Sequence, residues 1–357
     1  MKLIHTADLH LGSPLTSRLP ESKRRQRRRE LLSNLSRLTE RARELGVSAI
    51  IISGDLFDSQ TVSEGARSAF LGAVSASPDI EFFCLGGNHD GALADGICQG
   101  LVNFHTFPKN DWASYRLGDG VVISGRSECG EEMFSSLRLN KEDKNIVLLH
   151  GELRERSAHP DTVGLREAKD KNIDYLALGH YHSYSEAAID SHGVAVYSGT
   201  PEGRGFDEAG ECGFVLIDTE GEGMTHTFIP FAKRVTHIVR LPLDGLISYP
   251  EIENSAREAL SKIPSADIVR LTLSGRYTLG LWKDTEALLR AFANDFYYFE
   301  VKDTSRPAVK AEDFIYDKSL KGEFIRLVLA DTTLSEDERE RIISTGISAL
   351  TGEGGDI

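Results

Sequence analysis

The sequence predicts an α/β fold, and two observations carry the expectation. Short apolar runs of strand length recur along the first two thirds of the chain, with helical stretches after several of them. Five of these runs also end in a small polar motif, at the strand end where an α/β sheet places its chemistry.

Lys2–Ala7 reads as a strand ending at Asp8, and a long helix is expected over Glu21–Leu45, with Gly46 as its C-cap. Val47–Ser53 is continuously apolar, as a strand buried on both faces should be, and it runs into Gly54-Asp55. A helix is expected at Val62–Ala76. Glu81–Leu85 is a strand ending at Gly86-Gly87-Asn88-His89-Asp90, and Asn145–Leu149 one ending at His150. Thr162–Lys171 is expected to be helical, and Ile173–Leu178 a strand leading into Gly179-His180-Tyr181-His182. Val194–Tyr197 and Gly213–Asp218 read as further strands. A boundary is expected at Ile229-Pro230-Phe231, which makes residues 1–231 the first domain. Residues 232–305 follow as a small α+β module of β-α-β-α-β pattern, and residues 306–357 as a helical tail in which Ser335 and Glu338 form a capping box.

Composition sets limits on function. The chain has 357 residues, ample for a packed core without disulfides. None of its four cysteines falls in a C-x-x-C pair, which argues against a zinc knuckle and for a reducing compartment. Asp8 and His10 interrupt the N-terminal apolar run too early for a signal peptide, and no apolar run has the length of a membrane span, so a cytoplasmic protein without membrane association is expected. The net charge of -14 disfavours a generally nucleic-acid-binding surface. Residues 1–46 nevertheless hold eleven Lys or Arg against five Asp or Glu, a local +6 that leaves -20 for the rest. The island Lys23–Arg29, with Arg24, Arg25 and Arg28, is either a set of phosphate contacts or a solvated helix face. Arg204, in the glycine-rich stretch Pro201–Glu208, carries the same two readings.

The chemistry lies in the five motifs. Residues two apart in an extended chain point the same way, which predicts that Asp8 converges with His10 and His180 with His182. Asp8, Asp55, Asn88, His10, His150, His180 and His182 are too many donors for one tetrahedral zinc and suit two divalent ions. Two such ions suit in-line phosphoryl displacement with a bridging hydroxide. Mixed oxygen and nitrogen donors without thiolate favour manganese, iron or zinc over magnesium.

The ordered set D-x-H, G-D, G-N-H-D, H and G-H-x-H resembles the calcineurin-like metallophosphoesterases over about residues 1–230. That resemblance implies an α-β-β-α sandwich. It implies one ion held by Asp8, His10, Asp55 and His182, and a second by Asp55, Asn88, His150 and His180, with Asp55 bridging. His89 would contact the phosphate or protonate the leaving oxygen, oriented by Asp90. The wording HTADLHLGSPL, GDLFD, GGNHD and LLHGEL is most similar to the DNA-repair exonuclease branch, the SbcD- and YhaO-like proteins. This branch implies a manganese-dependent DNA exo- or endonuclease, a capping domain after the catalytic one, and a tail that docks an SMC-like, SbcC-type ATPase. It also implies a homodimer. Archaeal and eukaryotic members carry a catalytic His where this chain has Asp58, as bacterial members do. A small-molecule phosphodiesterase or phosphatase, and a scaffold subunit for the ATPase, are the alternative functions.

Overall fold

The computed structural model describes all residues except 16–18, 60, 88–95, 131, 158, 160, 222, 279–280, 310–313 and 352–357. The chain divides into two compact units, Met1–Val235 and Thr236–Ile357.

The first unit is an α-β-β-α sandwich. β1 (Lys2–Thr6), β2 (Val47–Ile52), β3 (Glu81–Cys84) and β4 (Phe104–Thr106) run parallel as neighbours. β5 (Ala113–Arg116), β6 (Val121–Gly125) and β7 (Lys144–His150) begin a second sheet, followed by a two-stranded ladder of β8 (Glu152–Arg154) and β9 (Thr162–Gly164). β10 (Tyr175–Gly179), β11 (Ser185–Ala188) and β12 (Val194–Tyr197) complete the second sheet, in the order β11-β12-β10-β7-β6-β5. β13 (Gly213–Asp218) and β14 (Thr225–Pro230) return to the first sheet, in the order β14-β13-β1-β2-β3-β4.

Alternation within the strands explains the layering. Leu3, Ala49, Ile51, Phe83, Val215 and Ile217 face Ile123, Ile146, Leu148, Tyr175, Ala177 and Val196 of the other sheet in one core. Their neighbours Ile4, Ile50, Ile52 and Phe82 point outward onto a helical layer. That layer is built by α1 (Glu21–Leu32), α2 (Asn34–Leu45) and α3 (Glu64–Ser75). On the far side Val147, Leu149, Leu176 and Leu178 pack with Met133, Phe134 and Ala168. Each central strand is thus covered on both faces, which is why its sequence is continuously apolar.

Two expected helices differ. The long helix breaks at Ser33, whose hydroxyl donates to Glu30 O, giving α1 and α2. The segment expected as helix over 162–171 opens as strand β9 and keeps only one helical turn, Leu165–Ala168. Its Thr-Val-Gly start favours an extended ladder with β8 over a helical first turn.

The second unit has a parallel sheet of β15 (Thr236–Pro242), β16 (Ile268–Ser274) and β18 (Tyr298–Asp303). Helices Tyr249–Leu260 and Thr285–Phe292 cross between them and bury Ile252, Ala256, Leu288 and Phe292 in its core. A short ladder, β17 (Arg276–Thr278) with β19 (Arg306–Ala308), precedes helices Leu320–Ala330 and Glu336–Thr351. Arg306 Nη1 reaches Asp337 and Glu340 of the last helix at 3.1 and 3.0 Å. Ser335 N donates to Glu338 Oε2 (2.8 Å) and Glu338 N to Ser335 Oγ (3.3 Å), so the capping box forms. Among the described residues no helix is long and apolar enough to cross a membrane.

Candidate metal centre

Four parallel strands, β1, β2, β7 and β10, end at one rim of the sandwich. The loops after β1 and β2 are zipped together: Asp8 N donates to Gly54 O (3.1 Å), His10 N to Asp55 O (3.0 Å) and Leu11 N to Leu56 O (2.8 Å). The same ladder lines up the two motifs side by side. From the second sheet, His180 N donates to both carboxylate oxygens of Asp8, at 3.2 and 3.1 Å.

Asp8 and His10 do converge, but not by strand geometry. Both have positive φ, 53° and 43°, as do Asp55 (51°) and His180 (107°). Non-glycine residues in this region cost free energy, and such strain gathers at functional sites. Turns, not an extended chain, therefore bring Asp8 and His10 together, and the expected pairing of His180 with His182 is not seen: the His180 ring lies against His150 and the His182 ring against His10.

Potential ligand atoms of Asp8, His10 and His182 lie within 4.8 Å of one another, and so do those of Asp8, Asp55 and His150. Asp55 Oδ2 stands between the two sets, 3.8 Å from His10 Nε2 and 3.5 Å from His150 Nε2. The imidazoles pair accordingly. His10 and His182 have ring centroids 5.2 Å apart, and His150 and His180 5.6 Å. Asn88, His89 and Asp90 lie outside the described residues.

The cluster fits cations. Asp8, His10, Asp55 and His150 are all buried. Burial pushes the Asp8 carboxyl up to about 8, with Asp55 adding to the effect against the pull of His182. The pull of His182 and Arg204 does not offset burial, and a bound cation would. His150 Nδ1 lies 2.8 Å from Ser53 O, an acceptor only, so the neutral ring carries its proton there. Its Nε2 is buried without a hydrogen-bond partner among the described residues, and burial lowers the pKa of the ring. That leaves a bare lone pair facing a carboxylate oxygen, as a metal ligand requires.

The glycines of the motifs have a steric reason. A Cβ on Gly87 would lie 2.1 Å from Asp55 Oδ1, and one on Gly54 2.3 Å from His150 Nδ1.

A group not anticipated from the sequence stands behind His182. Glu208 Oε1 is 2.7 Å from His182 Nδ1 and also accepts from Arg204 Nη2 (2.7 Å) and Nε (2.9 Å). Burial alone would raise Glu208, but His182 and Arg204 hold its carboxyl at about 2. A carboxylate 26 positions from the histidine it serves has no spacing signature. Its only signal was the glycine-rich stretch in which it lies.

The proposed phosphate contacts are placed differently from one another. Arg204 is half-buried and engaged with Asp58 and Glu208. Within the basic island, Arg27 is buried, its guanidinium bonded to Glu30, Glu202 and Gly203 O at 2.7 Å each. Arg24, Arg25 and Arg28 are more exposed and gather around one carboxylate, Glu21, at 2.6, 3.1 and 3.6 Å.

A rim of buried carboxylates and imidazoles at the strand ends of an α-β-β-α sandwich defines a metal-dependent phosphoesterase. The calcineurin-like phosphoesterase family matches residues 1–184, and the chain belongs to it. The DNA double-strand break repair protein Mre11 of Methanosarcina acetivorans is 24% identical over 297 residues, which cover 77% of this chain and 46% of that one. This chain thus spans about half the length of that relative. Among solved structures, the protein TT1561 of Thermus thermophilus aligns with 11% identity over 64% of this chain and 98% of its own, at a TM-score of 0.42. A dimetal phosphatase from Danio rerio gives 11% over 64% and 95%, also at 0.42.

Proposed function

We propose that this protein is a two-metal-dependent DNA nuclease, acting as an exo- or endonuclease in DNA repair. The observation that carries the reading is the pair of ligand clusters sharing Asp8, with Asp55 Oδ2 between them, in a chain similar to a DNA double-strand break repair protein. One ion is held by Asp8, His10, Asp55 and His182, the other by Asp55, Asn88, His150 and His180, and Asp55 bridges. Manganese is the metal proposed, on the mixed oxygen and nitrogen donor set. Bound together, two such ions activate water and stabilise charge on a phosphodiester. His89 contacts the phosphate or protonates the leaving oxygen, and Asp90 orients it. Arg24, Arg25 and Arg28, each more exposed than Arg27, supply phosphate contacts for the DNA strand.

Residues 232–305 serve as a capping domain, and the helical tail 306–357 docks an SMC-like ATPase. Exposed apolar side chains on this tail support the docking: Tyr316 is 90% exposed, Leu320 72% and Leu327 64%. A homodimer in the cytoplasm completes the reading.

The test is hydrolysis of linear duplex and single-stranded DNA with Mn2+, by the wild type and by His89→Ala. The reading expects cleavage by the first and its loss in the second. Turnover of a chromogenic phosphodiester without cleavage of any DNA would instead assign a small-molecule phosphodiesterase. Deleting residues 316–350 should abolish ATPase binding and leave Mn2+ uptake unchanged; undiminished ATPase binding would overturn the docking role.

A further inference from the structure

We propose that Glu208 and Arg204, anchored by Asp58, form a positioning bracket that fixes the ring orientation and tautomer of His182, making the Pro201–Glu208 loop a structural half of the metal centre. The inference rests on the metal reading above.

A continuous path of contacts joins the two imidazoles from behind. It begins at His182 Nδ1, 2.7 Å from Glu208 Oε1. Glu208 accepts from Arg204 through its side chain, and its Oε2 also accepts Arg204 N at 2.6 Å. Arg204 Nη1 then crosses to Asp58 Oδ1 at 2.9 Å, and the same oxygen lies 3.2 Å from His10 Nδ1. Glu208 is buried, with 7% of its side chain exposed, so water does not compete strongly for its oxygens. Arg204 Nη2 also approaches His182 Nδ1, at 3.3 Å, but the shorter carboxylate contact determines where the proton sits.

The chemistry follows from what each partner can do. An ionised carboxylate only accepts hydrogen bonds, so the His182 Nδ1 facing Glu208 carries hydrogen. The His182 Nε2 lone pair is thereby turned to the centre, 4.0 Å from Asp8 Oδ1. A planar guanidinium can bond two carboxylates at fixed angles, which an ammonium cannot. The bracket serves one side of the centre. On the other side His150 is backed by a neutral carbonyl, Ser53 O. Asp58 lies against His10 and anchors Arg204, which links it to Glu208 instead of facing solvent.

The experiment is a Mn2+ titration of the full chain, followed by calorimetry and electron paramagnetic resonance, for wild type, Arg204→Lys and Glu208→Gln. Both variants preserve size, and Arg204→Lys preserves charge; melting of the metal-free proteins controls for folding. The bracket predicts that each variant weakens one of the two ions by ~10- to 100-fold, with the other within about twofold of wild type. Two ions bound by the variants at wild-type affinity, or both weakened equally, would overturn the bracket while leaving the metal reading intact. A wild-type chain that takes up no Mn2+ would instead overturn the metal reading, and the bracket with it.

Discussion

Arg27 and Glu202, 175 positions apart, meet at 2.7 Å with 1% and 0% of their side chains exposed. Glu202 also accepts from Arg37 Nη1 (3.3 Å) and from the backbone N–H of Lys233 (2.6 Å) and Arg234 (3.2 Å). This pair binds α1 to the loop that carries Arg204 and Glu208. Removing one partner of a buried pair strands the other, at a cost of about 3–5 kcal/mol. Arg27→Ala should therefore destabilise the protein by that order. Arg25→Ala, at a side chain 69% exposed, should change stability by less than about 1 kcal/mol. Urea denaturation of the two variants tests the contrast, and equal losses would contradict it.

The same network sets a pH dependence. Burial would raise Glu30, but hydrogen bonds from Arg234 and Arg27 outweigh it and hold the carboxyl at about 2, against 4.5 for the free group. Because the folded pKa lies below the unfolded one, the folded state binds fewer protons between these values. The stabilisation is complete above about pH 4.5 and declines as the pH falls towards 2. Glu30→Gln should be less stable than wild type at pH 7, and the gap should narrow between pH 4.5 and 2. Denaturation midpoints across that range would show a constant gap if the carboxylate contributed nothing.

Two glycines with left-handed backbones separate site geometry from chain geometry. Gly46 has φ +68° at the end of α2, with no atom within 4 Å of where a Cβ would stand. Gly54 has φ +91°, and a Cβ there would press on the His150 ring. Both Ala variants suffer a backbone penalty of about 1–2 kcal/mol. Only Gly54→Ala should also displace His150 and lower Mn2+ affinity by an order of magnitude or more. Isothermal titration of both proteins decides it; matched affinities would mean that the His150 position tolerates the intrusion.

These positions show what could be read in advance. Strands β1, β2, β7 and β10 were legible because burial on both faces leaves a run of apolar residues with a polar stop. The clustering of Asp8, His10, Asp55, His150 and His182 was legible because cations require carboxylates and imidazoles in number. The positive φ of Asp8 and His10 was not, since L-residues there have no compositional mark and the ladder to Gly54 and Asp55 that holds them is tertiary. Glu208 was hidden for the same reason. The island on α1 read as uniform charge, yet Arg27 faces inward and Arg25 outward, a difference set by which face of α1 meets the Glu202 loop. The break at Ser33 was obscured by good helix formers on both sides.

The buried carboxylate at the heart of the cluster links stability to metal. In the metal-free protein Asp8 is pushed up to about 8 from 3.8, chiefly by burial. With the folded pKa above the unfolded one, its contribution is fully present below about pH 3.8 and is lost as the pH rises through 8. Metal-free protein should thus weaken between those values, and Asp8→Asn, which keeps the shape without the charge, should be the more stable of the two near pH 8. Added Mn2+ should reverse the order. At a hundredfold excess over its dissociation constant a ligand stabilises the folded state by about 2.7 kcal/mol, and only the wild type has the carboxylate that holds it. Melting temperatures of both proteins at pH 8, with chelator and with Mn2+, give four values. The expected pattern is a crossing, with Asp8→Asn higher under chelator and wild type higher with Mn2+; parallel shifts would show that Asp8 does not hold the ion.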